Sequence, residues 1–381
     1  NLPPPTPKTD FCRLLARGKA AWRLVHLLQR SFGDGAKTKV SSEQSGWVDL
    51  SVQHADRVAS VLLLFSQGDR VVKEDMAQPV VLKGLLQIVS AGTEGMPKSL
   101  EGAYIKILKG LRHLSGDTNT LTQLQDSGVV PCFVALLSQK GTAKNPSCVS
   151  EVQSQVMFAL YNLCKISKVR QEQAALAGVV EHLQRFITSN SPLRQLAIPL
   201  LCDLAHAGDG ARKALWKSDG LTFYLKLVQM KYWHHIALNC IAVWISATQE
   251  DEKLRLEEVL QHPHNIDILI SCLADADNQA AGNMVPPLIQ LLDCKRLNRA
   301  LGVSRMVLEM MRRLHHPEAV VRKNILQAIQ LMYERSEDPR VFITSHDLYA
   351  VLEQVVEKDE SLLVQEHARL LLRAMLVNTI I

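Results

Sequence analysis

The side chains best equipped for chemistry in this sequence are its histidines, cysteines and clustered carboxylates, and their spacing decides what they can do. His234-His235, His262-Pro263-His264 and His315-His316 bring imidazoles close in sequence, but adjacent side chains on a helix point in different directions. No Cys or His stands at the interval of a zinc site. The histidines therefore read as surface or cap residues, with no metal implied. Cysteines at 12, 132, 148, 164, 202, 240, 272 and 294 form no Cys-x-x-Cys pair. Most lie in apolar helical patterns, such as Leu163-Cys164 and Leu201-Cys202, where a free thiol packs as a small hydrophobe; a reducing, intracellular setting is expected. Glu250, Asp251, Glu252, Glu257 and Glu258 have the spacing of a solvated helix face rather than of an acid–base pair. Lys295, Arg296, Arg299, Arg305, Arg312 and Arg313 gather in the following unit, where they could meet those carboxylates or a charged partner. A glycine-rich phosphate loop is missing, as are the His-Arg-Asp and Asp-Phe-Gly motifs of protein kinases. No cofactor is expected, and the region reads as non-enzymatic.

What the sequence does specify is a repeating scaffold. Hydrophobic residues make up 47% of the 381, charged residues 21% and aromatic residues 5%, so Leu, Ile, Val, Ala and Met carry the core, as in stacked helices. The net charge of +5 is too small for a nucleic-acid binder. No apolar h-region opens the sequence and no apolar run nears 20 residues, so neither secretion nor a membrane span is expected. Turn positions followed by apolar helices recur at Gly128, Gly178, Gly220, Asn265, Gly302 and Asp347, in steps of 50, 42, 45, 37 and 45 residues. Gly18 and Pro79 are weaker earlier members. This matches the period of about 40–47 residues of armadillo and HEAT arrays.

Within each unit a short helix, a helix of about ten residues and a longer helix follow in order. The long ones read as 99–114, 150–165, 191–206, 231–248, 278–293, 318–334 and 362–376. The expected fold is all-α, an armadillo/HEAT-type right-handed superhelical solenoid, with an irregular helical bundle as the competing reading. Residues 1–10 are expected as the end of a linker, 11–30 as a helical segment, 31–47 as a flexible linker, and 48–381 as the armadillo-like repeat domain. Weak points are expected at 92–97 and in the polar stretch 139–148.

The stretches Ala159-Leu-Tyr-Asn-Leu-Cys-Lys165 and Val169-Arg-Gln-Glu-Gln-Ala-Ala175 resemble one family. So do Ser191-Pro-Leu-Arg-Gln195, Pro199-Leu-Leu-Cys-Asp-Leu-Ala-His206, Tyr232-Trp233, Ile236-Ala-Leu238, Ile241-Ala-Val243 and Val377-Asn-Thr-Ile380. The family is the plant mitogen-activated kinase kinase kinase epsilon with its fungal septation-initiation and mitotic-exit relatives, in their C-terminal armadillo-like domain. Pro7-Lys-Thr-Asp-Phe-Cys-Arg13 resembles an upstream part of the same region, before the family's long spacer, which would here be shortened to 31–47 by lineage or by deletion. The resemblance implies a Ser/Thr protein kinase whose catalytic domain lies upstream. It also implies a role in cytokinesis and septation, a scaffold at the spindle pole body or a small GTPase as partner, and a cytoplasmic location.

The functional expectation is a platform that binds a protein segment along its concave face, lined by the long helices. In nuclear-import armadillo proteins a Trp and an Asn four residues later recur on that helix. The matching places here hold Phe158 and Asn162, Pro199 and Asp203, and Cys240 and Trp244, a broken ladder that argues against nuclear-signal recognition. The candidate partner-binding residues are Lys109, His113, Phe158, Asn162, Arg194, Asp203, Trp233 and Trp244. Phe158 and Trp233 could equally be packing, and Asn162 a bridge between repeats. Alternatives are a homodimerisation module controlling the upstream kinase, through Leu370–Leu372 and Ile380-Ile381, and a nucleotide-binding enzyme. Limited proteolysis should cut first within 31–47 and leave both flanks intact, because its Gly, Ser and Lys content cannot offset the entropy of ordering; protection equal to that of the repeats would count against the reading.

Overall fold

The computed structural model describes residues 7–34, 45–138, 146–189 and 191–380, and among these every regular element is a helix. The chain divides into two compact units, 1–214 and 215–381. Unit one holds four triplets. They are α1 (Pro7–Arg17), α2 (Ala20–Asp34) and α3 (Ser45–Ser66); α4 (Arg70–Met76), α5 (Pro79–Ser90) and α6 (Lys98–Ser115); α7 (Leu121–Asp126), α8 (Val129–Leu137) and α9 (Pro146–Cys164); and α10 (Lys168–Leu176), α11 (Val179–Thr188) and α12 (Arg194–Ala205). Helix α13 (Asp209–Lys217) carries the division. Unit two continues with α14 (Gly220–Val228) and α15 (His234–Ala247), then α16 (Glu250–Leu260), α17 (Pro263–Ala274) and α18 (Asn278–Leu292). It ends with α19 (Lys295–Leu301), α20 (Ser304–Arg312) and α21 (Ala319–Glu334), then α22 (Pro339–Ser345), α23 (Leu348–Lys358) and α24 (Leu362–Ile380).

The recurring turn signal has a local cause. Between the first and second helix of a triplet the chain passes through the left-handed region at Lys19, Gly128, Gly178, Asp219 and Asp347, with φ from 50° to 94°. Glycine or a short polar residue adopts that conformation at least strain. At Gly178 (φ 94°) a β-carbon would meet open space, so conformation alone selects glycine. One turn later the reason differs: Asp219 takes the positive φ, while a β-carbon on Gly220 would stand 2.8 Å from the Leu215 carbonyl oxygen. Where no left-handed residue stands, Pro79 or Pro263 opens the second helix, its fixed φ and missing N–H suited to that place. Asp69, Ser167, Asp277 and Asp338 cap other helices by accepting from backbone N–H groups within the first turn.

Packing follows the triplet order. In unit one the third helices contact in sequence, α3 with α6, α6 with α9 and α9 with α12, and the second helices form another file, α2 with α5 and α5 with α8. In unit two, α15, α18, α21 and α24 contact in turn. A third helix is thereby enclosed on most of its circumference: α9 buries Val152, Val156, Met157, Ala159, Leu160, Leu163 and Cys164. Polar ties join consecutive triplets, including Lys73 to Asp117 at 2.9 Å and the two-pronged pair of Arg322 with Asp359 at 2.7 and 2.8 Å.

The long helices fall where the spacing places them, within a few residues at each end. The margins of the expected linkers differ. Pro7 opens α1, so 7–10 are helical; α2 runs on through Asp34, and α3 begins at Ser45. Residues 35–44, the middle of the expected spacer, lie outside the described residues. Helices α1 and α2 pack within the same unit, α1 against α2 and α4 and α2 against α3 and α5, so they complete a triplet with α3. The polar stretch 139–148 likewise ends inside α9, because proline is well suited to the first helical position.

Leu160 and Leu201, in consecutive third helices, are both 0% exposed. Truncating either to alanine should lower the unfolding free energy in urea by about 2–5 kcal/mol. Losses below about 1 kcal/mol at both positions would contradict this packing.

Candidate functional site

The narrow side of each third helix that no neighbour covers is the place where side chains can both be positioned and be reached. On α6 it carries Lys106, Lys109, Arg112 and His113; on α9, Glu151, Ser154, Phe158 and Asn162; on α12, Gln195, Pro199 and Asp203. These are steps of three and four residues, one face of a helix. Because α6, α9 and α12 pack side by side, their stripes form one continuous face of unit one.

Along it runs a ladder of polar rungs at the C-terminal ends of the helices. Ser66 hydrogen-bonds His113 Nδ1 at 3.2 Å, while its own hydroxyl donates to the Leu63 carbonyl at 2.7 Å. One unit on, Asn162 Nδ2 donates to Ser115 Oγ at 3.3 Å, and that hydroxyl donates to the Arg112 carbonyl at 2.6 Å. Ser66, Ser115 and Cys164 are spaced 49 residues apart, as are His113 and Asn162, so the third rung pairs Cys164 with Asp203, 41 residues after Asn162. There the chemistry changes. The Cys164 thiol turns to the Arg170 carbonyl at 3.6 Å, and among the described residues no side chain donates to the Asp203 carboxylate.

Charge along the face is otherwise matched. Lys106 reaches both Asp56 oxygens at 2.6 and 2.7 Å and Ser60 at 2.9 Å. Lys109 pairs with Glu151 at 3.0 Å, and that hydrogen bond holds the Glu151 carboxyl below its usual range. The Arg112 guanidinium lies 5.6 Å from the centre of the Phe158 ring, which is 41% exposed, a cation–aromatic platform open to solvent. Burial chiefly, with the charges of Arg112, Lys73 and Lys109, pulls the His113 imidazole below its ordinary value. Asp203 moves the other way: burial lifts its carboxyl from the ordinary 3.8 to about 6, with no cation near enough to oppose the shift.

Of the residues singled out in the sequence, Lys109, His113, Phe158, Asn162 and Asp203 share this face, with Arg194 half-buried at the start of α12. Asn162 does bridge two repeats, through Ser115. Trp233 and Trp244 belong to unit two and are not part of it. Trp233 is half-buried just before α15. Trp244 is a correction: it is 2% exposed and packs edge-on against Tyr224 at 6.1 Å between ring centres, so it is core. The physical reason is a register shift of one residue. The accessible stripe of α15 holds Asn239 and Val243, whereas Cys240 and Trp244 face inward.

Arg112, Ser115 and Glu151 were not singled out, and Cys164 only as a packing thiol; the 49-residue spacing was the signal that could have linked the serines and the cysteine. Among the described residues no group of three or more His, Cys, Asp and Glu is placed to hold a metal. His316 instead accepts from the Glu318 N–H at 3.0 Å and contacts the Asn278 carbonyl at 2.9 Å, a structural link between triplets. Glu250, Asp251 and Glu252 occupy the first turn of α16, where they complement the helix dipole.

Comparison with known proteins places the chain among relatives of one kind. It is 32% identical over 371 residues to cytokinesis protein sepH of Emericella nidulans, covering 97% of this chain and 26% of that protein. It is 33% identical over 341 residues to MAP3K epsilon protein kinase 1 of Arabidopsis thaliana, covering 87% and 24%. Cell division control protein 7 of Schizosaccharomyces pombe is 26% identical over 370 residues, covering 96% and 32%. The chain thus spans between about a quarter and a third of the length of these relatives. No family model matches. Among solved structures, an engineered protein from a structural genomics consortium aligns with a TM-score of 0.58 at 17% identity, covering 96% of this chain and 91% of that one. A computationally designed armadillo repeat protein for modular peptide recognition aligns at 0.51 with 18% identity, covering 66% and 99%. These likenesses identify the fold as an all-α armadillo solenoid.

The Asp203 environment has a measurable consequence. With the folded carboxyl near 6 and the unfolded one near 3.8, the native state takes up the proton first, so the ionised group destabilises the fold above about pH 6 and the penalty fades as pH falls towards 4. Asp203→Asn should therefore raise stability at pH 7.5 by about 1 kcal/mol, a figure reduced for the group's partial contact with solvent. Urea titrations at pH 7.5 and 4.5 should show that advantage shrinking at the lower pH, and an Asn variant less stable at pH 7.5 would show that Asp203 has a partner.

Proposed function

Because the chain belongs, over nearly its whole length, with a segment of the family of fungal sepH and plant MAP3K epsilon cell-division kinases, we propose that it is the non-catalytic, protein-binding and localising module of such a Ser/Thr kinase. The observation that supports this best is the face of α6, α9 and α12, which carries an exposed aromatic ring under a guanidinium and, on the next helix, a carboxylate to which no side chain among the described residues donates. Aromatic and arginine side chains in this arrangement are the anchors that dominate protein–protein binding energy. An all-helical armadillo fold offers a long face rather than an enclosed catalytic cleft, so kinase activity is assigned to a part of the relatives outside the matched segment. The proposed partner is a scaffold or a small GTPase of the cytokinesis pathway, with a cytoplasmic site of action extending to the spindle pole body.

A second reading has its own support. Helix α24 exposes Leu363, Leu370 and Val377 at 55%, 61% and 62% along one side, a surface suited to pairing with another copy. Sedimentation at micromolar concentration separates the two: a monomer that still captures a partner supports the first reading.

For the first, immobilised chain should be compared with its Phe158→Ala and Asn162→Ala variants in partner capture from dividing cells, followed by mass spectrometry. Each change should weaken binding by about 1–4 kcal/mol with little effect on the melting temperature. Trp244→Ala should instead destabilise unit two by about 3–5 kcal/mol, as expected for a large core side chain. Unchanged capture by both face variants would move recognition to another surface.

A further inference from the structure

The α12 rung differs from its neighbours in a way that specifies a ligand. At the first two rungs the polar residue of one helix is satisfied by a serine hydroxyl of the preceding helix, at 3.2 Å for His113 and 3.3 Å for Asn162. At the third, the preceding helix offers Cys164, a weak donor that is fully buried and directed at Arg170. An ionised carboxylate accepts hydrogen bonds and gives none, so Asp203 presents only acceptors. One turn earlier on the same stripe stands Pro199, inside α12. Proline has no N–H, so the carbonyl of Gln195 four residues before it lacks its intrahelical donor. Side chains on a helix lean towards its N-terminus, which carries the Asp203 carboxylate back towards that same turn. The Asp203 carboxylate, to which no side chain among the described residues donates, and a carbonyl whose usual i+4 donor proline has removed thus belong to one stripe of α12.

Resting on the reading of this face as a protein-binding surface, we propose that the α12 rung is a pocket for a lysine or arginine side chain of the partner segment, ion-paired to Asp203 and hydrogen-bonded to the Gln195 carbonyl. A cation rich in N–H donors and without acceptors complements such a place. Burial of the carboxylate sharpens the preference, since a charge held partly away from water gains more from a counter-charge than an exposed one. A neutral donor would satisfy the hydrogen bonds but leave the charge, and an acidic residue would be repelled. The adjoining Phe158 ring and Arg112 then lie one rung away on α6 and α9, available to the rest of the segment.

The test uses the 381-residue chain and a phage-displayed library of random dodecapeptides. Selected peptides should carry Lys or Arg at one fixed position, and their synthetic forms should bind the Asp203→Asn variant about tenfold more weakly, a loss that shrinks in high salt. Phe158→Ala should weaken the same peptides without altering which residue is preferred at that position. An Asp203→Lys variant should accept a peptide whose basic residue is changed to Glu better than the original peptide. The Asn variant is nearly isosteric, and its melting curve checks that the fold is kept. Peptides that lose affinity with Phe158→Ala but show no basic preference, or bind Asp203→Asn equally well, overturn the pocket while leaving the face. Peptides indifferent to all three variants, or a library that yields no binder, overturn both.

Discussion

A third helix such as α9 cannot be stable alone in water, because it presents apolar side chains over most of its surface, from Val152 through Cys164. It becomes stable when α6 and α12 close on its sides and α8 on another. This mutual burial is the constraint from which the remainder follows, since neighbouring triplets supply the apolar surroundings that any single triplet lacks. It also dictates where function can reside. After burial, α6, α9 and α12 each retain a narrow accessible stripe, and side chains placed there share one face with those of the next helix. Recognition in such a fold is therefore collective, a matter of which residue types fill successive stripes.

How much of this could be read from the sequence depends on which physical signal was periodic. The left-handed turns at Gly128, Gly178, Asp219 and Asp347 are strong signals because few residue types tolerate the conformation, and they mark the triplets plainly. The apolar periodicity of the long helices is equally clear. Helix margins were less legible: the prolines of the first ten residues and the glycines and serines after Arg30 suggested loop, yet Pro7 starts a helix and Ser31–Asp34 continue one. The packing of α2 on α5 gives that helix an apolar partner that local composition cannot reveal.

The candidate face shows a sharper limit. Phe158, Asn162 and Asp203 keep one register because α9 and α12 begin their accessible stripes at equivalent places, but Trp244 does not, since the stripe of α15 falls on Val243. A shift of one residue rotates a helix position by about 100°, enough to turn a tryptophan from groove to core. Spacing between repeats of unequal length cannot fix that rotation; only the inward fit of Trp244 against Tyr224 does. Conversely, the serines behind the polar ladder show in sequence only as a 49-residue spacing, because Ser66 and Ser115 act by hydrogen-bonding the next helix.

The ladder also explains why one rung matters more than the others. His113 and Asn162 are engaged with the chain itself, so they tie successive triplets together and present a face that is already satisfied. Had Asp203 been an asparagine, like Asn162, the third rung would carry no charge to desolvate and the fold would be the more stable for it. A carboxylate there is a departure from what folding alone favours, and departures of that kind are expected where a binding partner completes the arrangement. Its position beside the only interruption of α12, at Pro199, strengthens the case, because the proline withdraws a backbone donor at the same place where a side-chain donor is also missing. Either feature alone is an ordinary irregularity. Together they leave on one helix a carboxylate to which no described side chain donates and a carbonyl without its i+4 N–H, and a basic side chain from outside is the simplest group that would complement them.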